Sequence, residues 1–275
     1  MNLEDNLGDV LRKARMMAKV ELADAARVAG LSESDYGQLE DTGKCARTPD
    51  LIKLGGLLGI DGKRAEKIGQ GWLPTPPVLS AWREFRQITT EGDGMAVHAY
   101  LIWDEATREA ALFDTGFDAA PIVALLDQHR LDLKHLFITH SHADHLAALQ
   151  PLRDRYPNVR LHSNIKAAPP DQRNRPNDFV QVGSLRITNR DTPGHAEDGV
   201  TYVVGNFPDD APNLAVVGDA IFAGSMGGAK DHGPLAKQKV REQILSLPPS
   251  TLICPGHGPL TTVGQEREHN PFYPG

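Results

Sequence analysis

Seven residues constrain this chain more than any others: Thr139-His140-Ser141-His142-Ala143-Asp144-His145. They follow directly on an apolar run, Leu133 to Thr139, that reads as a buried strand. His140 and His142 are two apart, so an extended backbone sends both side chains to one side. Asp144 and His145 come where the chain turns toward a helix, and so address a second point nearby. Imidazole together with carboxylate suits zinc, iron or manganese better than calcium or magnesium. The bland alternative is a polar turn that happens to hold three histidines. Ligand type, spacing and placement at a strand end all favour a metal site instead.

Three further candidates stand at the ends of predicted strands, each beside a glycine: His195 in Thr192-Pro193-Gly194-His195, Asp219 in Val216-Val217-Gly218-Asp219, and His257 in Pro255-Gly256-His257-Gly258. Loops after strands are where layered α/β proteins carry their chemistry. The set then holds five His and two Asp, enough for two ions bridged by one carboxylate. His98, His129, His135, His162, His232 and His269 take the ordinary reading of surface or core residues. Cys254, three residues before His257, reads as a small buried strand residue.

The chain divides in two. Residues 1–70 are helical in pattern. Leu7, Val10, Leu11 and Ala14 make one face. Leu22, Ala25, Ala26 and Ala29 make a second, stopped by Gly30, and Ser32 caps a third helix that turns Tyr36 and Leu39 inward. Leu51, Leu54, Leu57 and Leu58 give a fourth. Gly71-Trp72-Leu73-Pro74-Thr75-Pro76-Pro77 cannot continue a helix and reads as a stiff linker over 71–77. From 78 to 275 strands and helices alternate, the pattern of a layered α/β unit. Strands are predicted over 96–103, 109–113, 133–139, 159–163, 179–188, 200–205, 214–218 and 251–254. Helices are predicted over 120–129, 146–156 and 235–247.

The H-x-H-x-D-H run with the His195, Asp219 and His257 contexts resembles the metallo-β-lactamase fold superfamily, and most nearly its short bacterial glyoxalase-II-like hydrolases. Phe113-Asp114-Thr115-Gly116, Gly218-Asp219-Ala220-Ile221-Phe222 and Pro255-Gly256-His257-Gly258-Pro259 through Asn270-Pro271-Phe272 match as well. The resemblance implies an αβ/βα sandwich with its site along one edge. It implies that His140, His142 and His195 hold a first metal, that Asp144, His145 and His257 hold a second, and that Asp219 bridges them. Asp114 is implied as a hydrogen-bonding support beneath the ligands. The implied cofactors are two divalent ions, zinc first, with iron or manganese as alternatives. The implied chemistry is hydrolysis of a small-molecule thioester by metal-bound hydroxide, with Asp144 and Asp219 in the catalytic group. Thioesters suit such a site because a thiolate leaves without a proton. Lactone or ester hydrolysis, and the mono-iron persulfide dioxygenase branch, are the alternatives. One departure stands out. The related hydrolases carry Lys or Arg in a G-x-G-[KR] pattern after the bridging Asp. Here the stretch is Gly224-Ser225-Met226-Gly227-Gly228-Ala229-Lys230, with Gly228 at the basic position. Lys230, two residues on, is the candidate substrate contact.

Residues 20–41, with Ala26, Gly30, Ser32, Tyr36 and Leu39, resemble a Cro/phage-repressor-type helix-turn-helix. That resemblance implies DNA contact through Ser34 and Gln38, the latter suited to adenine. Charge argues the other way. Residues 1–70 hold 11 Lys plus Arg against 12 Asp plus Glu, and the whole chain carries a net −7. A ligand-sensing DNA-binding regulator is therefore the competing reading to an enzyme. A dimerisation role, or covering the mouth of the active site, is the other use for the helical part. Two widely separated cysteines, and no apolar run near the roughly 20 residues that span a bilayer, lead us to expect a cytoplasmic protein with no membrane partner.

Overall fold

Five helices open the computed structural model, which describes residues 2–175 and 178–274. They are α1 (Leu7–Ala18), α2 (Leu22–Ala29), α3 (Glu33–Thr42), α4 (Leu51–Leu58) and α5 (Gly62–Gly69). Local chemistry fixes their ends. The Asn6 side chain accepts from the backbone of Gly8 and Asp9, and the Asp9 side chain answers the Asn6 N–H, a reciprocal cap for α1. Ser32 caps α3, and left-handed Gly30, Gly43 and Gly59 close α2, α3 and α4. The predicted α1 face is buried throughout. In α4 the prediction needs correction, because Leu57 is 39% exposed while Leu51, Leu54 and Leu58 are buried. Leu57 lies about 100° round the helix from Leu58, beyond the packed stripe. Arg15 ties α1 to α3 through a two-pronged bond to Glu40, at 2.7 and 2.8 Å.

The rest of the chain builds β1 (Phe85–Gly92), β2 (Met95–Trp103), β3 (Glu109–Phe113), α6 (Ala120–His129), β4 (Asp132–Phe137), α7 (Ala143–Leu146), α8 (Leu149–Arg155) and β5 (Arg160–His162). There follow β6 (Phe179–Val182), β7 (Leu185–Asp191), β8 (Val200–Gly205), β9 (Leu214–Gly218), α9 (Gly233–Gln243), β10 (Leu252–Pro255), β11 (Thr261–Thr262) and α10 (Val263–His269). Two sheets result, in the orders β1-β2-β3-β4-β5 and β11-β10-β9-β8-β7-β6.

Alternation along the strands shows how the layers stack, since successive side chains face opposite sides. Tyr100 and Ile102 of β2, Ala111 and Phe113 of β3, and Phe137 of β4 meet Tyr202, Val204, Leu214, Val216, Leu252 and Cys254 of the other sheet in one core. Their neighbours Leu101, Ala110, Leu112 and Leu136 face outward onto Ile122 and Leu126 of α6 and Leu152 of α8. On the second sheet Val203, Ala215, Val217 and Ile253 face outward onto α9. Strands buried on both faces read as unbroken apolar runs, which is why the sequence exposed them.

That last cluster also contains Leu7, Val10, Leu11, Tyr36, Leu54 and Ile68 of the five leading helices, so the helical part and the second sheet share one continuous core. The 71–77 stretch has no regular element, as predicted, yet it is docked rather than spanning open space. Trp72 lies 5.1 Å ring to ring from His269, and the Thr75 N–H donates to Gln265 Oε1. Three other predictions are corrected. The single strand over 179–188 is a hairpin turned at left-handed Gly183. The helix over 146–156 is the shorter α8, set apart from a separate turn, α7, that His142 begins and that carries Asp144 and His145. β1, β11 and α10 were not predicted; the eight-residue β1 is completely paired with β2, and its register rather than its sparse apolar pattern makes it a strand.

His135 Nδ1 and His162 Nε2 lie 2.9 Å apart beneath Phe137. Burial first, then the charge of Arg160, lowers His135 to a pKa of about 4; burial, then His135, lowers His162 to about 4. Both values lie below the unfolded 6.5, so this pair stabilises the fold above that pH and the contribution fades as pH falls toward 4. Comparing urea midpoints at pH 7 and pH 5, wild type should lose about 2 kcal/mol more than a His162→Gln variant. Equal losses would remove the pair as a source of acid sensitivity.

Candidate metal centre

β3 and β4 are parallel, as are β9 and β10, and β7 runs in their direction through antiparallel β8. The C-terminal ends of these five strands gather along one edge of the two sheets. Each carries a residue of the candidate set: Asp114 after β3, His140 and His142 after β4, His195 after β7, Asp219 after β9, and His257 after β10. Asp144 and His145 arrive on α7.

All seven predicted ligands come together. His140, His142 and His195 form one group of ligand atoms within 4.8 Å of one another; Asp144, His145 and His257 form another; and His140, His145 and Asp219 link them. Asp219 reaches both sides. Its Oδ1 is 3.4 Å from His145 Nε2, and its Oδ2 is 3.4 Å from His195 Nε2 and 3.5 Å from His257 Nε2. Asp144 Oδ2 is 3.1 Å from His257 Nε2 and 3.4 Å from His145 Nε2. His140, His145, Asp219 and His257 are buried, whereas His142 is exposed, so the group opens to solvent on the His142 side.

The rings are oriented from behind. His145 Nδ1 donates to Asp114 Oδ2 at 2.8 Å. Asp114 also accepts from the Thr139 backbone at 2.8 Å and the Thr139 hydroxyl at 2.7 Å. With its proton so used, the Thr139 oxygen accepts from His140 Nδ1 at 3.1 Å. His195 Nδ1 donates to the Gly228 carbonyl at 3.0 Å, and His257 Nδ1 donates to the Ala96 carbonyl at 2.6 Å. Each of these four rings thus spends its Nδ1 on an outer acceptor and turns its Nε2 inward, the orientation in which a neutral imidazole binds a metal.

The inner atoms call for a cation. His140 Nε2 and His195 Nε2 each stand 3.0 Å from His142 Nδ1, and a single N–H on that ring serves only one of them. His145 Nε2 and Asp219 Oδ1 are buried with no hydrogen-bond partner among the described residues. The electrostatics agree. Burial, with His145 next, lowers His140 to a pKa of about 2. Burial lowers His145 too, but Asp114 and Asp219 override it and carry the ring up to about 11. Burial works against the Asp219 carboxylate, yet the His145 hydrogen bond and charge hold it below the usual range. The pocket wants positive charge between these carboxylates, and the donor set fits divalent ions.

Sequence reasoning missed several supports. His98, read as an ordinary core residue, anchors the His257 loop from both sides: its backbone donates to the Gly256 carbonyl and its Nε2 to the Gly258 carbonyl, each at 2.9 Å. Tyr100 donates to the Pro255 carbonyl at 2.6 Å. The carbonyls of Ala96 and Gly228 carry no sequence signal at all, because backbone acceptors are common to every residue type. Lys230 lies exposed beyond the Gly228 turn, with no hydrogen bond among the described residues. Position 228 is open, with nothing within 4 Å of where a β-carbon would sit. Ser34 and Gln38 are exposed on α3 and lie outside this group. Cys254 is a buried strand residue, as predicted, with burial pushing its thiol up.

A family model described as the metallo-beta-lactamase superfamily matches residues 92–257. The chain belongs to that superfamily. Among its relatives, the hydroxyacylglutathione hydrolase GloC of Haemophilus influenzae is 27% identical over 199 residues, covering 62% of this chain and 90% of that protein. The mitochondrial persulfide dioxygenase ETHE1 of Bos taurus is 30% identical over 227 residues, covering 79% of this chain and 83% of that protein. Among solved structures, the BLEG-1 B3 metallo-beta-lactamase superposes with a TM-score of 0.60 at 29% identity, covering 70% of this chain and 100% of that one. Members of the superfamily with different named activities therefore share this framework.

Asp114→Asn should weaken metal binding on the order of 10–100-fold, because His145 loses the charged acceptor that orients it. Metal per chain after titration with a competing chelator reads this directly, and unchanged affinity would remove Asp114 from the supporting network.

Proposed function

We propose that the protein is a binuclear metallohydrolase acting on a small-molecule thioester. The observation that carries this is the complete set of seven inward-facing ligands in two linked groups, with Asp219 between them. Two bound divalent ions, zinc first, supply Lewis acidity that polarises a carbonyl and acidifies a water. In this reading His140, His142 and His195 would hold one ion, Asp144, His145 and His257 would hold the other, and Asp219 would be a ligand within reach of both. Asp144 would also accept a hydrogen bond from a water at the site and so orient it. Every titratable side chain of the seven is committed as a ligand, which leaves none of them to protonate a leaving group. A thiolate leaves without that help, which favours thioesters over esters and lactones. The likeness to GloC supports the same choice.

The relative named a persulfide dioxygenase supports a second reading, a single iron in the same ligand set. The helical part is proposed to be a Cro-type helix-turn-helix serving the enzyme rather than a DNA reader. Ser34 and Gln38 are exposed on α3, but the basic side chains Arg12, Lys13, Arg15 and Arg27 of the helical part are already paired with Asp9, Asp5, Glu40 and Asp24. Lys230 remains the proposed contact to the thiol carrier.

Metal-loaded protein should hydrolyse S-D-lactoylglutathione, and Asp219→Ala should lower turnover on the order of 10³-fold or more. Oxygen uptake with glutathione persulfide, in place of hydrolysis, would decide for the dioxygenase. Full hydrolytic activity in Asp219→Ala would sink the bridged two-ion site.

A further inference from the structure

The leading helices reach the metal centre through one loop. The Lys13 ammonium on α1 sits 2.5 Å from Asp5 Oδ2 and donates to the Met226 carbonyl at 3.0 Å. It also lies 5.0 Å over the Phe222 ring, whose neighbour across an edge-on contact at 5.9 Å is His257. Asp5, buried, accepts in turn from the Ser225 hydroxyl at 2.5 Å. Two residues beyond Met226 is the Gly228 carbonyl that takes the His195 Nδ1 proton. Between them Gly227 runs against the Asp219 carbonyl and the His195 ring, so closely that no side chain has room.

The loop has two kinds of anchor. The Phe222–Ser225 turn is closed on itself and held from α10 and the residue that caps it, where Asn270 donates to the Ser225 carbonyl at 2.7 Å and Glu266 accepts from the Gly224 N–H at 3.0 Å. The onward stretch, Met226–Gly228, is the part that touches His195. Its backbone is fixed at Met226 by Lys13. The arm before α1 also reaches the second ligand loop: a β-carbon at Gly258 would lie 3.0 Å from the Glu4 backbone nitrogen.

We infer that Lys13 and Asp5 are positioning residues of the metal centre, which makes the helical part a built-in component of the His140–His142–His195 site. The Asp5–Lys13 pair sets the Met226 carbonyl, the following two residues set the Gly228 carbonyl, and that carbonyl fixes the rotation and protonation of His195. This rests on the reading of those three histidines as one metal site. A pair acting two residues behind the carbonyl that holds a ligand should change affinity at the low end of the range for supporting residues, about tenfold.

The test uses the full-length protein as wild type, Lys13→Met, Ser225→Ala and His195→Ala. Each is loaded with cobalt(II), titrated with a competing chelator and followed by its absorption spectrum, and a thermal melt checks folding. Lys13→Met should weaken one of the two metal equivalents about tenfold, the same equivalent that His195→Ala loses, and should shift the same absorption band. Ser225→Ala, which cuts the link from the other side, should move that equivalent in the same direction. Wild-type affinity for both equivalents in a folded Lys13→Met or Ser225→Ala would overturn the inference. So would equal weakening of both equivalents in step with a lowered melting temperature, which marks a merely structural contact. Wild-type protein that takes up no metal would overturn the metal-site reading and this inference with it.

Discussion

The Asp114 carboxylate is the joint on which the centre is built. It stands on a left-handed residue at the end of β3, a conformation that aspartate tolerates better than most side chains. One oxygen receives the Thr139 backbone at the end of β4, and the other receives the Thr139 hydroxyl and the His145 ring. A single buried acid therefore registers two parallel strands and one helix against each other, and two of the ligand rings inherit their orientation from it. A buried carboxylate is costly unless its lone pairs are used, and here three donors use them. The same charge, with that of Asp219, favours positive charge on the His145 ring that stands between the two carboxylates.

The second determinant is where the strands end. Parallel pairing places the C-terminal ends of β3 and β4 together, and of β9 and β10 together, so Asp114 meets Thr139 and Asp219 meets His257. The packing between the sheets, with Phe113, Phe137 and Tyr202 in mutual ring contact, fixes the distance across which Asp219 faces His145. The helical part adds a third layer of constraint. Its core is continuous with the outer face of the second sheet, and Arg64 donates to the carbonyls of Asn270 and Tyr273 at the far end of the chain. A core shared in this way couples the folding of the two regions, and it brings charged side chains of α1 up to the ligand loops.

Much of this was legible in the residues. The apolar runs gave β3, β8 and β9 their observed bounds, and the α1 face and the Ser32 cap were read correctly from spacing. The strongest signal was local: within 140–145 ligand types crowd together in a way that no packing requirement produces. His195, Asp219 and His257 were weaker signals, visible through the glycine beside each and the strand before it. What escaped was whatever depends on partners. The 179–188 strand hid a hairpin because Gly183 and Ser184 interrupt an otherwise apolar pattern only briefly. β1 has few apolar residues because its stability comes from pairing with β2. His98 looked like any core histidine, since its role lies in two backbone atoms 158 and 160 positions away.

The chemical kind of site and the class of fold can be read from short-range patterns: ligand spacing, strand alternation, helix caps. How the candidate ligands are grouped is written only in the fold, which places Asp219 between two groups, turns Nε2 of four rings inward, and docks the 71–77 stretch and the leading helices onto the second sheet. It also put Lys13 against Met226. These are contacts between atoms far apart in the chain, and several are made by backbone carbonyls. A carbonyl has the same chemistry in every residue, so only the fold says which one a side chain will meet.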